Sequence, residues 1–101
     1  MEKIGKIIKV SAVVKKGEGY VQDIVLFQEE KRQGEKKLQT EEFWPFSIYS
    51  KDQHDSKFMV DSPTLRQRYM RISYYERGVK YEKEGVVKFF INFSLQRWEQ
   101  I

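Results

Sequence analysis

The chain has 101 residues, 40% hydrophobic and 15% aromatic, with a formal charge of +4; that supports one domain with one modest core and leaves too little for a second. It contains no cysteine, which excludes a disulfide framework, thiolate zinc sites and thiol nucleophiles. No stretch approaches the roughly 20 apolar residues that cross a bilayer, and MEKIGKIIKV has neither the apolar run nor the cleavage site of a signal peptide, so a soluble, cytoplasmic protein with no membrane partner is expected.

Most of the chain reads as strand. GKIIKVSAVV, residues 5 to 14, is rich in β-branched residues and forms a first strand ending near Val14. Lys15-Lys16 and Gly17-Glu18-Gly19 then supply a flexible break. A second apolar run, YVQDIVLFQEE, residues 20 to 30, is followed by KRQGEKK, whose central Gly34 marks a turn, and by a third run, EFWPFSIYS, residues 42 to 50. Strands two and three therefore form a hairpin with a charged tip. Pro45 cannot donate a ladder hydrogen bond, which predicts an edge or a bulge there. Residues 51 to 68 break the pattern and read as loop with a short helix, starting at Ser62-Pro63 or running through Ser56 to Val60 before the proline.

Alternation returns at Tyr69. Met70, Ile72 and Tyr74 share one side of a fourth strand, opposite Tyr69, Arg71, Ser73 and Tyr75. Beyond YYERGVKYEKEG, residues 74 to 85, read as a hairpin tip, a fifth strand sets Phe89, Ile91, Phe93 and Leu95 on an oily face. Phe90, Asn92, Ser94, Gln96 and Trp98 lie on the other. The oily face is assigned to the core.

The order is three strands, an irregular or short helical segment, and two more strands. A five-stranded sheet of this size protects its edges by closing, which predicts a mainly β Greek-key barrel with the segment between strands three and four plugging one end. Gly5 fits a bulge that helps the sheet bend. In this element order the sequence resembles OB-fold proteins. The opening MEKIGKIIKV and the closing RISYYERGVKYEKEGVVKFFINFSLQRWEQI also resemble a small bacterial OB-fold family of unknown function related to single-stranded-DNA-binding proteins. The chain departs from the latter at Trp98-Glu99-Gln100-Ile101, where bacterial single-strand binders carry an acidic tail.

Catalysis finds little support. His54, the sole histidine, stands beside Asp52 and Asp55 without the fixed spacing of a metal or acid-base site, and is read as part of a solvated loop. Glu29-Glu30 and Glu41-Glu42 flank Lys31, Arg32, Lys36 and Lys37 and read as solubilising cross-strand charge. Gly17-Glu18-Gly19 lacks the length and the following helix of a phosphate cradle. A non-enzyme without cofactor or metal is expected.

Charge distribution points elsewhere. Residues 1 to 20 carry five Lys/Arg against two acids, residues 21 to 63 six against nine, and residues 64 to 101 eight against four. Two basic ends brought together would present a positive surface to a polyanion. OB-fold resemblance implies a ligand face on strands two and three, bounded by the connections between strands one and two and between strands four and five. Here those connections are KKGEGY and ERGVKYEKEG. The resemblance thus implies two fingers, Lys15, Lys16 and Tyr20 facing Tyr75, Arg77, Lys80 and Tyr81. On the third strand, alternation turns Trp44 inward with Phe46 and Ile48 and turns Phe43 and Tyr49 outward, unless a bulge at Pro45 reverses one side. Phe43, Trp44 and Tyr49 are the candidate stacking platforms, and Arg71 is placed to track phosphate. Trp98 is read first as a cover for a helix or partner.

Three functions compete at this stage. The leading expectation is sequence-tolerant binding of single-stranded DNA, with RNA second, by a protein of a phage or mobile element. A protein-interaction or homo-oligomerisation module using the same face or a strand edge is the alternative, and a small anion-binding or enzymatic domain ranks last.

Overall fold

The computed structural model describes residues 1–101. The fold is mainly β: β1 (Glu2–Val10), β2 (Val14–Lys16), β3 (Gly19–Gln28), β4 (Lys31–Gln33), β5 (Lys36–Gln39), β6 (Glu42–Ser50), α1 (Pro63–Gln67), β7 (Tyr69–Lys83) and β8 (Val86–Gln100). Within one sheet the strands pair in a ring, from β1 to β7, β8, β6, β3 and back to β1, and β2 continues along the β1 edge of β3, pairing Gly19 to Val21 where β1 pairs Ile24 to Phe27. All pairings are antiparallel except β6 with β8, which meet in parallel at Ser47 and Ser94.

β1 serves two neighbours. Glu2 to Lys6 pair with β7 and Lys6 to Val10 with β3, and the strand bulges between Ile7 and Lys9. The first strand thus ends at Val10, and Val14 opens β2 instead. The bulge predicted at Gly5 lies further along. Gly5 keeps regular register with Met70, and its role is close approach: a Cβ there would collide with the Phe27 carbonyl oxygen. Pro45 likewise sits in unbroken register opposite Val25. It produces no bulge, because β6 is bridged to β8 only at Ser47 and leaves the rest of its second edge free of ladder bonds.

The core follows period-two alternation. Ile7, Ile24, Leu26, Phe46, Ile48, Met70, Ile72, Tyr74 and Leu95 are buried from the ring strands, and Met59 and Leu65 join them from the 51–68 segment. Of the two helix placements, the proline one is found. Ser62 caps α1 by accepting the Leu65 N–H at 3.0 Å, with Pro63 in the first turn. Buried Gln22 fastens the preceding loop. Its amide accepts the Met59 N–H and donates to the Met59 carbonyl, both at 2.8 Å, and donates to the Ser11 carbonyl at 3.0 Å. Trp98 is half-buried against the core and covers this loop, its indole N–H donating to the Lys57 carbonyl at 2.7 Å.

Two charged connections behave differently from expectation. KRQGEKK becomes its own two-stranded hairpin, β4–β5, turning at Gly34 with φ of 62°; Arg32 and Lys37 pair with Glu30 across it. YYERGVKYEKEG is not a loop. It is the body of β7, paired to β8 from Tyr74–Leu95 to Lys83–Val86, and the turn is only Glu84-Gly85 with φ of 52° and 78°. Positive φ at both positions is the primed turn that matches strand twist. β7 leaves β1 after Ser73, so the distal halves of β7 and β8 project as a two-stranded arm. Molecular extents of 51 × 34 × 20 Å reflect that projection. Phe89 and Ile91, assigned above to the core, are 77% and 60% exposed on the arm, because the strand continues past the body that would have covered them.

Candidate nucleic-acid interface

A groove of about 660 Å³ runs over the outer face of β6 and the base of the arm. Lys16 reaches it from β2, Val21 from β3, Ser47 and Tyr49 from β6, Lys57 from the loop, and Tyr75, Arg77, Asn92, Ser94 and Gln96 from β7 and β8. Strand pairing explains this convergence. Tyr75 is opposite Ser94 and Arg77 opposite Asn92, so both pairs lie on one face of the ribbon, and Ser94 bridges to Ser47.

Each ring and cation has a local cause. Tyr49 is 50% exposed and rests over Gly19, where a Cβ would lie 2.5 Å from the ring. Glycine at 19 is what lets that aromatic lie against the β3 backbone. Tyr75, 46% exposed, stands on the opposite wall. Lys57 is held at both backbone ends, its N–H donating to Asp55 Oδ1 at 2.9 Å and its carbonyl accepting from Trp98. Its Nζ donates to the Tyr49 carbonyl at 3.0 Å. Asp55 also accepts from the Ser50 hydroxyl at 2.7 Å. The Lys57 backbone bond first, and the Ser50 bond second, hold its carboxyl below the usual 3.8.

Electrostatically the groove is one-sided. It is lined by three cations, Lys16, Lys57 and Arg77, and by no carboxylate. None of the three is in an ion pair. Two acids stand at its margin: Asp55 beside Lys57, and Asp23 through Ser47, whose Oγ lies 3.3 Å from both Asp23 Oδ1 and Asn92 Oδ1. A single hydroxyl proton serves one of them at a time. Such a surface offers charge to phosphate, flat rings to bases, and Asn92, Ser94 and Gln96 as hydrogen-bonding groups.

Of the residues singled out in the sequence, the groove unites Lys16, Tyr49, Tyr75 and Arg77. The others lie elsewhere. Lys15 and Tyr20 are opposite one another in the β2–β3 ladder, one position out of phase with Lys16 and Val21, so alternation turns them from the groove. Lys80 and Tyr81 lie farther out on the arm, because the stretch read as a finger is extended strand. Phe43 packs on its cross-strand neighbour Phe27 at 5.2 Å, at the end of β6 remote from Tyr49.

Trp44 is half-buried and fully engaged. Lys3 Nζ sits 3.7 Å from its ring centre, Phe93 meets it edge-on, and its N–H lies 3.0 Å from Glu42 Oε2 and 3.1 Å from Gln28 Oε1. Arg71 lies outside the groove, its guanidinium paired with Glu99 at 2.6 Å and with Glu2 at 4.0 Å. His54 is exposed, its backbone N–H capped by Asp52 at 2.9 Å.

Sequence reasoning missed Lys57, Ser47, Asn92, Ser94 and Gln96. The signal for the last three was their parity with Tyr75 across the ribbon. For Lys57 it was the Asp55-Ser56-Lys57 turn, in which an aspartate fixes the N–H two residues on. No protein-family model matches the chain and no curated protein matches it.

Proposed function

We propose that this chain is an OB-fold-like Greek-key barrel built on β1, β3, β6, β7 and β8, and that it binds single-stranded nucleic acid, DNA in the first place, across the groove. The fold reading is supported by the order of pairing around the ring and by the parallel β6–β8 contact. In OB-folds the ligand surface is the second and third strands with the connections between strands one and two and four and five. Those elements here are β3, β6, β2 and the base of the arm.

One observation carries the functional reading: three unpaired cations and two half-exposed tyrosines line a groove that contains no acid. Phosphates run past Lys16, Lys57 and Arg77 while bases stack on Tyr49 and Tyr75, each stack contributing roughly 1 to 3 kcal/mol. Nothing in this arrangement needs a particular base, so binding is sequence-tolerant. The protein acts by holding the strand, without chemistry on it. The test is fluorescence anisotropy with labelled oligo-dT and oligo-U at low and moderate salt. Binding that weakens as salt rises, and weakens further without Arg77 and Lys16, is expected; absence of binding at low salt removes the proposal.

A further inference from the structure

The arm has a second face, opposite in parity to the groove. Tyr74 and Leu95 begin it inside the core, both about 95% buried, at 5% and 4% exposure. The face then runs outward through the pairs Glu76–Phe93, Gly78–Ile91, Lys80–Phe89 and Glu82–Val87. Phe93 is half-covered by Trp44, Phe46 and Tyr74. Ile91, Phe89 and Val87 are 60%, 77% and 41% exposed. The inward, apolar side of β8 thus continues out of the body with nothing over it. A two-stranded ribbon is marginal in water unless a third element covers its apolar side.

We infer that a second copy of this chain covers this shelf, the two arms packing face to face and antiparallel about a two-fold axis between the Lys80 and Glu82 rungs. Charge selects the occupant. The shelf carries Glu76, Lys80 and Glu82, a net negative set unsuited to nucleic acid, whereas the groove side of the same ribbon carries Arg77, Lys83 and Lys88. Reversed on itself, the shelf is self-complementary: Lys80 of each copy meets Glu82 of the other, as an isologous interface requires. Phe89 then lies against the other copy's Val87. Gly78, whose Cβ position opens onto empty space, leaves room for the other copy's Glu84-Gly85 turn.

Area fits a modest dimer. Phe89 alone offers roughly 150 Å². With its apolar neighbours and the stems of Lys80 and Glu82, the shelf offers about 500 Å² per copy, or about 1,000 Å² in all, at the lower bound for a specific interface. The inference is independent of what the groove binds.

Sedimentation velocity of the full chain from about 1 to 200 μM tests it, with a concentration-dependent monomer–dimer equilibrium expected in that range. Phe89→Ser with Ile91→Thr should raise the dissociation constant at least about tenfold while the far-ultraviolet spectrum stays unchanged, since both side chains are outside the core. Lys80→Glu and Glu82→Lys should each weaken the dimer by juxtaposing like charges. The double exchange should return it to within about threefold of the parent, a rescue that loss of folding cannot imitate. A monomer throughout, a dimer indifferent to all four variants, or an exchange that fails to rescue overturns the inference. So does a loss of oligo-dT affinity in the Phe89–Ile91 variant measured where the protein is monomeric, which would hand the shelf to nucleic acid.

Discussion

Removing two of the three groove cations should change the salt dependence of binding more tellingly than the affinity at any one salt. Each phosphate neutralised on a single strand contributes about 0.7 to the slope of log K against log salt. With Lys16, Lys57 and Arg77 engaged, the slope is about −2, so affinity falls about 20-fold between 50 and 200 mM salt. Lys16→Ala with Arg77→Ala leaves Lys57 alone, a slope of about −0.7 and a fall of about threefold. Neither side chain is in an ion pair, so the substitutions break no internal partner. The control is Lys31→Ala with Lys36→Ala, which removes the same charge from the β4–β5 hairpin outside the groove. Anisotropy with labelled oligo-dT over four salt concentrations reads both slopes. Equal slopes for the parent and the groove variant, or an equal drop in the hairpin control, would mean that net charge and not the groove captures the strand.

Outer-face aromatics of the same strand should separate: Tyr49→Ala, and Tyr75→Ala across the groove, should each weaken oligo-dT about 5- to 150-fold, whereas Phe43→Ala should leave it within about twofold, read by anisotropy of the labelled oligonucleotide. Gln22→Leu keeps the shape but strands the Met59 N–H and carbonyl in the interior. It should cost about 2 to 4 kcal/mol, read from the urea midpoint. Asp55 ionises below its usual 3.8 in the folded chain, so it contributes stability that is present above that value and lost as pH falls through its lower folded value. Asp55→Asn should flatten that part of the stability curve in acid titration, and an unchanged acid limb would count against the Asp55–Lys57 clasp.

Much of the fold was legible because strands alternate. Met70, Ile72, Tyr74, Phe46 and Ile48 could be placed inward from spacing alone, and the same spacing turned Trp44 in and Tyr49 out. Ser62-Pro63 announced the one helix because a hydroxyl cap and a proline in the first turn solve the same problem of unpaired N–H groups. What spacing could not give was where a strand leaves its neighbours. β7 carries on for ten residues past its pairing with β1, which ends at Ser73, and no residue in YYERGVKYEKEG marks that departure. The glycine in ERGVK looked like a loop signal but is Gly78, mid-strand and without positive φ. The ion pairs of Arg71 were illegible for another reason: its partners, Glu2 and Glu99, are distant in sequence and meet it only through the β1–β7 and β7–β8 ladders.

Parity also decides how binding and self-association relate. In an antiparallel ribbon, opposed residues share a face, so the groove set (Tyr75, Arg77, Asn92, Ser94) and the shelf set (Gly78, Lys80, Phe89, Ile91) cannot both be covered by one partner lying on one side. A strand held in the groove therefore leaves the shelf free, and two copies joined through their shelves keep both grooves open. In the inferred dimer, antiparallel arms would send the two bodies to opposite ends, and two linked grooves would engage one strand at a raised effective concentration. The consequence is measurable: an oligonucleotide long enough to reach both grooves should gain affinity above the dimer dissociation constant, and the Phe89→Ser with Ile91→Thr variant should lose that gain while binding a short oligonucleotide as the parent does. A long strand that gains nothing from dimerisation would show that the arms hold the two grooves out of reach of one another.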